Sequence, residues 1–368
     1  MGVAWLFLGL CIWSKQSYGA SVLDLAELVS EYEDEILGRA VGFTHQDPEP
    51  QVQNGGEVGH PEEVHNWDTQ LELGQVAGVT TDLNDDPVVF HRGPVVWDMN
   101  SFTPDNKLSG QDQPPIPVDT ILTIDQFTGK VKSGKGANLF YMPHGIYIDQ
   151  DRNTWVTDVG LHQVMMFPPD SDVPSLVLGE RFVPGSDKQH FCKPAAVAVS
   201  KSGNVYVADG YCNQRIVVFD IKGRYLTEIK GDWTIVHSIV LFEEEDTVCV
   251  ADREGEKISC VGAGLNHPQF MGARILDIPN LGRVYGIAGR GTALVGVTGQ
   301  GSTPPHGITI DLADEGRVVD TWGSELQNPH LMAVSREGDT IYVTEIGPNR
   351  VRKFDVVAPQ DNIFNQEM

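Results

Sequence analysis

Hydrophobic and polar residues alternate over short runs through the central part of this chain, and the runs recur. QVAGVTTDLNDDPVVFHRG, MPHGIYIDQDRNTWVTDVGLHQVMMF, KPAAVAVSKSGNVYVADGYCNQRIVVFD, IVHSIVLFEEEDTVCVADREGEKISCV, RVYGIAGRGTALVGVTGQG and NPHLMAVSREGDTIYVTEIGPNRVRKFD align as six units. Each except the fifth reads as a strand, a polar turn with Gly, Asp or Asn, and a second alternating strand; most add a third. A two-residue period puts every other side chain on one face of a sheet, so the Val, Ile, Leu and Phe positions form the face to be buried. Anchored at Ala77, His144, Ala195, His237, Tyr285 and His330, the units are separated by 67, 51, 42, 48 and 45 residues. Repeats of this length with several short strands each predict the blades of a propeller. The expected fold is all-β, a six-bladed β-propeller over residues 71–357, with a strand near Leu71 completing the sixth blade.

The flanks read differently. Val3 to Trp13 is one apolar run, too short to span a bilayer and followed by small residues, so residues 1–19 are expected to be a cleaved signal peptide; no later run reaches transmembrane length. Residues 20–70 carry twelve acidic side chains against Arg39 alone and are expected to be largely unstructured, with a short amphipathic helix over 23–38 through Leu25, Leu28, Val29, Tyr32 and Ile36. Residues 358–368 read as a tail. The whole chain carries a formal charge of -25, which argues against phosphate backbones and anionic lipid as partners. Beyond the leader there are four cysteines, Cys192, Cys212, Cys249 and Cys260, an even number that suits an oxidising compartment. Three pairings are possible; the short separations favour Cys192 with Cys212 and Cys249 with Cys260.

The anchor positions carry the candidate chemistry. In a propeller the first strand of each blade lies innermost, so residues at its start face the central channel. His144, His237 and His330 fall on the second, fourth and sixth blades, each 93 residues from the next. Alternate blades of a six-fold ring stand about 120° apart. Three imidazoles would therefore converge on the axis, a donor set suited to a divalent transition metal with an open position, zinc above all. The intervening anchors are Ala77, Ala195 and Tyr285, two of them small. His306, in PPHGITID, resembles His144 locally but falls in the outer part of the fifth blade. His45, His60, His65, His162, His190 and His267 lack the axial placement.

The strings VVFHRGPVVWDMNSF, NLFYMPHGIYIDQDRNTWVTDVGLHQV, PGSDKQHFCKPAAVAV, VADGYCNQRIV and VCVADREGEKISC resemble peptidyl-α-hydroxyglycine α-amidating lyase, over about residues 71–357. The resemblance implies a propeller of NHL-type repeats, in a stand-alone form without the copper monooxygenase that precedes the lyase in many animals. It implies cleavage of peptidyl-α-hydroxyglycine to a peptide amide and glyoxylate, on substrates supplied by a separate monooxygenase, by a monomer in the secretory-granule lumen or outside the cell. Zinc on His144, His237 and His330 would act as a Lewis acid on the substrate hydroxyl. Tyr211 matches the catalytic tyrosine, implied to be the base. Arg92 and Arg253 match the two active-site arginines, and Arg92 suits the substrate's carboxylate.

The sixth blade departs from the family pattern, which reads Met-Pro-His-Asp where this chain has Asn328, Pro329, His330 and Leu331. The family aspartate helps to bind a structural calcium, together with backbone carbonyls that match Val79 and Ile146. Without that carboxylate, calcium binding is expected to be weak or lost. Asn328 in place of methionine alters the wall that contacts substrate. The competing reading is a secreted propeller of the same ancestry that binds peptides or a protein partner without turning them over. A calcium-dependent hydrolase is disfavoured, because its axial ligands would be carboxylates and amides rather than imidazoles.

Overall fold

The computed structural model describes residues 59–67, 71–301 and 303–358. Within them, 24 strands form six four-stranded antiparallel sheets. Five sheets are consecutive in the chain, and their inner strands are Val76–Thr81, Pro143–Ile148, Ala196–Val199, Val236–Phe242 and Val284–Arg290. The sixth begins with Pro329–Val334. Each inner strand packs against the inner strands of both neighbouring blades, the last against the first, so the ring is closed. The fold is the six-bladed propeller expected from the repeats.

The alternation in each strand partitions its side chains between two neighbouring blades. In the third blade Ala196 and Ala198 pack with Val236, Ile239 and Val250 of the fourth, while Val197 and Val199 pack with Trp155, Val164 and Phe191 of the second. Burying each such Val or Ile stabilises the ring by about 1.5–3 kcal/mol. Polar turns are closed from within: Asp149 accepts hydrogen bonds from the amides of Asp151 and Asn153 and from the Trp155 indole, which ties the hairpin between the first two strands of the second blade.

Two expectations need correction. The fifth unit, which does not read as a regular repeat, builds the same four strands as its neighbours. Its glycines dilute the hydrophobic alternation but permit close approach: a Cβ on Gly286 would lie 2.9 Å from Leu331 Cα, and one on Gly299 would lie 2.3 Å from the Tyr285 ring. The strand that closes the sixth blade is His60–Glu63, not a segment near Leu71. It lies inside the stretch expected to be unstructured and pairs antiparallel with Arg350–Val357, His60 opposite Val357 and Glu63 opposite Phe354. HPEE carries no apolar alternation because an outermost strand is held by backbone bonds and by charge, here Glu63 on Arg352. Trp67 then packs against Tyr342, and Leu71 joins the same cluster between the sixth and first blades. The expected signal peptide, the amphipathic segment at 23–38 and the tail beyond 358 lie outside the described residues.

Candidate metal centre and its surroundings

His144, His237 and His330 each occupy the second position of an inner strand. In all three strands the pairing slips just there, between Pro143 and Ile146, Val236 and Ser238, and Pro329 and Met332. Such a bulge adds a residue to one strand and re-aims a side chain. The three rings are buried, with centroids 5.0, 4.8 and 4.9 Å apart, a nearly equilateral triangle. Their ligating atoms lie within 4.8 Å of one another.

The intervening blades fix the ring tautomers. Nδ1–H of His144 donates to the carbonyl of Ala195 at 2.7 Å, that of His237 to Tyr285 at 2.7 Å, and that of His330 to Ala77 at 2.6 Å. A carbonyl can only accept, so each Nδ1 carries the proton and each Nε2 presents a lone pair. Burial, reinforced by the cationic arginines nearby, holds all three imidazoles below their usual pKa, His330 at about 3. Neutral, pre-oriented imidazoles are the form that binds a metal, and the donor set fits a borderline-soft divalent ion with a position left open.

Tyr211 stands over this triangle. It sits in the turn after Asn204–Asp209, held by the disulfide from Cys212 to Cys192 and by Asp209, whose carboxylate accepts from the Cys192 amide, Asn213 and Arg215. The second disulfide joins Cys249 to Cys260 across two strands of the fourth blade. The Tyr211 hydroxyl lies 2.9 Å from His144 Nε2, 3.0 Å from His237 Nε2 and 3.4 Å from Arg253 Nη1. Burial pushes its pKa up, opposed by the charges of Arg253 and Arg92.

Arg253 touches the phenol, and Arg92 acts on it through its charge. Arg253 follows the strand Thr247–Asp252, and its guanidinium stacks 5.2 Å from the rings of both Tyr211 and Tyr285. Its Nε donates to Glu254, whose other oxygen pairs with Arg283. Arg92 follows the strand Pro87–His91 and is almost wholly buried. Its Nε donates to the Pro143 carbonyl at 3.0 Å, its Nη1 donates to Gln75, and its Nη2 is a buried donor without a hydrogen-bond partner. Burial lowers its pKa to about 10, which leaves it cationic at neutral pH. Asn328 lies half-buried two residues before His330, and among the described residues no hydrogen bond joins its side chain to the imidazole, phenol or guanidinium groups.

Trp97 completes the wall and is not marked by any repeat position. Its ring lies 5.1 Å from that of Tyr211, 6.0 Å from that of His144 and 5.1 Å from the Arg92 guanidinium. Its place in sequence, five residues after Arg92 in a connection outside the alternating strands, was the available signal. His306 begins the third strand of the fifth blade, away from the triangle, and bonds with Thr298 and the Pro304 carbonyl.

Val79, Ile146 and Leu331 line a single axial cavity of about 380 Å³ beyond the histidines. Among the described residues its carboxylates are Asp149, committed to its own turn and to Trp155, and Glu243, which accepts from the Lys201 amide. Calcium takes six to eight oxygen ligands from carboxylates, carbonyls and waters, and a charged carboxylate raises the affinity. Leu331 and its apolar neighbours do not fit calcium.

An NHL repeat model matches residues 191–219, the stretch from Phe191 to Phe219 in the third blade. Peptidyl-alpha-hydroxyglycine alpha-amidating lyase 2 of Drosophila melanogaster is 44% identical over 295 residues, covering 78% of this chain and 72% of that protein. The chain belongs to the peptidyl-α-hydroxyglycine α-amidating lyase family. A probable lyase of the same name from Caenorhabditis elegans is 38% identical over 292 residues, 76% of this chain and 82% of that one. Peptidyl-glycine alpha-amidating monooxygenase B of Xenopus laevis is 38% identical over 316 residues, 80% of this chain but 35% of that protein. In this α-amidating lyase family member, Tyr211 links two imidazoles of the triangle to Arg253, and Trp97 packs between Tyr211 and Arg92.

Proposed function

We propose that this chain cleaves peptidyl-α-hydroxyglycine to a C-terminally amidated peptide and glyoxylate, with zinc held by His144, His237 and His330. The observation that carries the reading is a half-buried tyrosine whose hydroxyl is within hydrogen-bond reach of two metal-ready imidazoles and one guanidinium. The reaction is the collapse of a carbinolamide: the hydroxyl loses its proton, its oxygen forms the aldehyde carbonyl, the C–N bond breaks, and the departing amide nitrogen gains a proton. Zinc at the triangle supplies Lewis acidity to the oxygen that develops negative charge. Tyr211 takes the hydroxyl proton, and Arg253 and Arg92 favour the phenolate that does so. The unpaired Nη2 of Arg92 suits one oxygen of the substrate's carboxylate. Asn328 contributes to the wall on the sixth-blade side. The substrate is the product of a separate copper monooxygenase, and the two disulfides suit work in the secretory lumen or outside the cell, as a monomer.

The test is glyoxylate release from a short α-hydroxyglycine peptide by the purified chain, before and after chelation and with zinc restored, beside His330→Ala. Zinc-dependent turnover that the substitution abolishes is expected. Tight peptide binding with one zinc per chain and no glyoxylate would overturn the lyase and favour a peptide-binding propeller altered at Asn328 and Leu331.

A further inference from the structure

Gln75 lies outside the imidazole triangle, yet its side chain connects two walls of the site. Its carbonyl oxygen Oε1 accepts from Arg92 Nη1 at 2.7 Å and from the Trp97 amide at 2.9 Å. Its backbone carbonyl accepts from the Arg92 amide at 3.0 Å. The segment is locked against the turn that carries Arg92: a Cβ on Gly74 would lie 1.8 Å from the Gly93 carbonyl oxygen, so only glycine permits the crossing. The amides of Gly74 and Gly93 both point to Nδ1 of His91, at 3.4 and 3.1 Å.

The consequence for Arg92 follows from counting its donors. Nε is taken by the Pro143 carbonyl and Nη1 by Gln75, and the face of the guanidinium lies on Trp97. Of its five N–H groups, one on Nη1 and the two on Nη2 are left over, and Nη2 is the buried nitrogen that has no partner among the described residues. A buried unsatisfied donor is costly unless a ligand completes it, and a cation in this state selects an anion. The residue that fills the other donor matters for that selection. A neutral amide oxygen satisfies Nη1 and leaves the positive charge uncompensated; a carboxylate at the same place would make both bonds and cancel it.

We infer that Gln75 is the positioning residue of a carboxylate receptor: one neutral oxygen aims Arg92 Nη2 at the anionic end of the substrate and holds Trp97 against Tyr211. The inference rests on the assignment of Arg92 to the substrate's carboxylate, and it makes the charge at position 75 the determinant of preference for a free C-terminal acid over its uncharged ester.

The decisive variant is Gln75→Glu, which preserves shape and the oxygen that accepts from Arg92 and Trp97, and replaces the amide NH2 with a second oxygen that brings the negative charge. Binding is measured by calorimetry on the zinc-loaded full chain with an unhydroxylated peptidylglycine acid and with its methyl ester, neither of which can be cleaved as an α-hydroxyglycine. The wild type should prefer the acid, and Gln75→Glu should lose about tenfold or more in affinity for the acid while affinity for the ester and zinc content stay within about twofold. With the α-hydroxyglycine peptide, KM should rise by a larger factor than kcat falls. Gln75→Leu, which removes the acceptor without adding charge, should weaken acid binding less than Gln75→Glu does. Equal affinity of wild type and Gln75→Glu for the acid, or parallel losses for acid and ester, would overturn the inference. Absence of glyoxylate release by the wild type would count against the lyase reading, whereas the acid and ester titrations judge the role of Gln75 without turnover.

Discussion

Replacing Tyr211 by Phe removes a single oxygen, the one that lies 2.9 and 3.0 Å from two imidazole nitrogens. The ring remains beside Trp97 and Arg253, and Cys212 still anchors the turn. General-base assistance by a positioned side chain is worth roughly 10²- to 10⁴-fold in rate. At about 1.4 kcal/mol per decade this is ~3–5 kcal/mol of barrier. The electrostatic setting supports a number of that size: a unit positive charge at the 3.4 Å separation of Arg253 Nη1 stabilises a phenolate by about 5 kcal/mol at an effective dielectric constant near 20. Burial works against that charge and, on the protein's own groups, leaves the phenol pKa raised, so the active phenolate becomes more abundant as pH rises. We therefore expect Tyr211→Phe to lower kcat by about 10²-fold or more with zinc content unchanged, and to flatten the rise of kcat/KM on the alkaline side. The assay is steady-state glyoxylate release across pH, with metal content measured on the same samples. A variant that keeps kcat within about threefold of the wild type, or the same alkaline rise, would refute the assignment of Tyr211 as base.

Three further outcomes are expected. Burial holds the His162 imidazole at a pKa of about 4, against 6.5 when unfolded, so the unfolded chain binds the extra proton between these values and stability must fall as pH drops from 6.5 towards 4. His162→Phe should remove up to about 3 kcal/mol of that pH dependence, read from urea midpoints at acid and neutral pH; equal slopes would refute it. Removing the Cys192–Cys212 bridge, with a sequence separation of 20, should cost roughly 3 kcal/mol and most of the activity because Tyr211 adjoins it, whereas removing Cys249–Cys260 should lower thermal stability and spare kcat. With zinc kept saturating, added calcium should leave Tm unchanged, and Leu331→Asp should be less stable than the wild type until millimolar calcium is added.

The blades were legible because each inner strand must divide its side chains between two neighbours, which imposes a two-residue period that survives in the amino-acid order. The imidazole triangle was legible for a related reason: position within the repeat maps onto angle around the axis, so alternation of His with Ala, Ala and Tyr along the chain became convergence in space. Residues that act through loops escaped this logic. Trp97 reaches Tyr211 from a connection between strands, and Gln75 is significant only because its oxygen meets two donors that lie 17 and 22 positions away. The closing strand escaped too, since HPEE contributes backbone bonds and a charge to an outer edge and needs no hydrophobic rhythm. Tyr285 was visible as an anchor, but its stacking on Arg253 depends on Gly299 making room for the ring.

Every ligand imidazole is fastened to a carbonyl of the following blade, joining the second blade to the third, the fourth to the fifth, and the sixth to the first. A metal on the three Nε2 atoms would gather these three pairs into a single knot. One pair, His330 with Ala77, straddles the seam between the sixth blade and the first, 253 positions apart in the chain. Occupancy of the centre is then also a latch on the circle: a bound ion favours the closed ring by mass action, so loss of metal should loosen the seam before it loosens any blade. Assembly of the centre and closure of the ring would then be one event, because the three imidazoles come together only when the circle shuts.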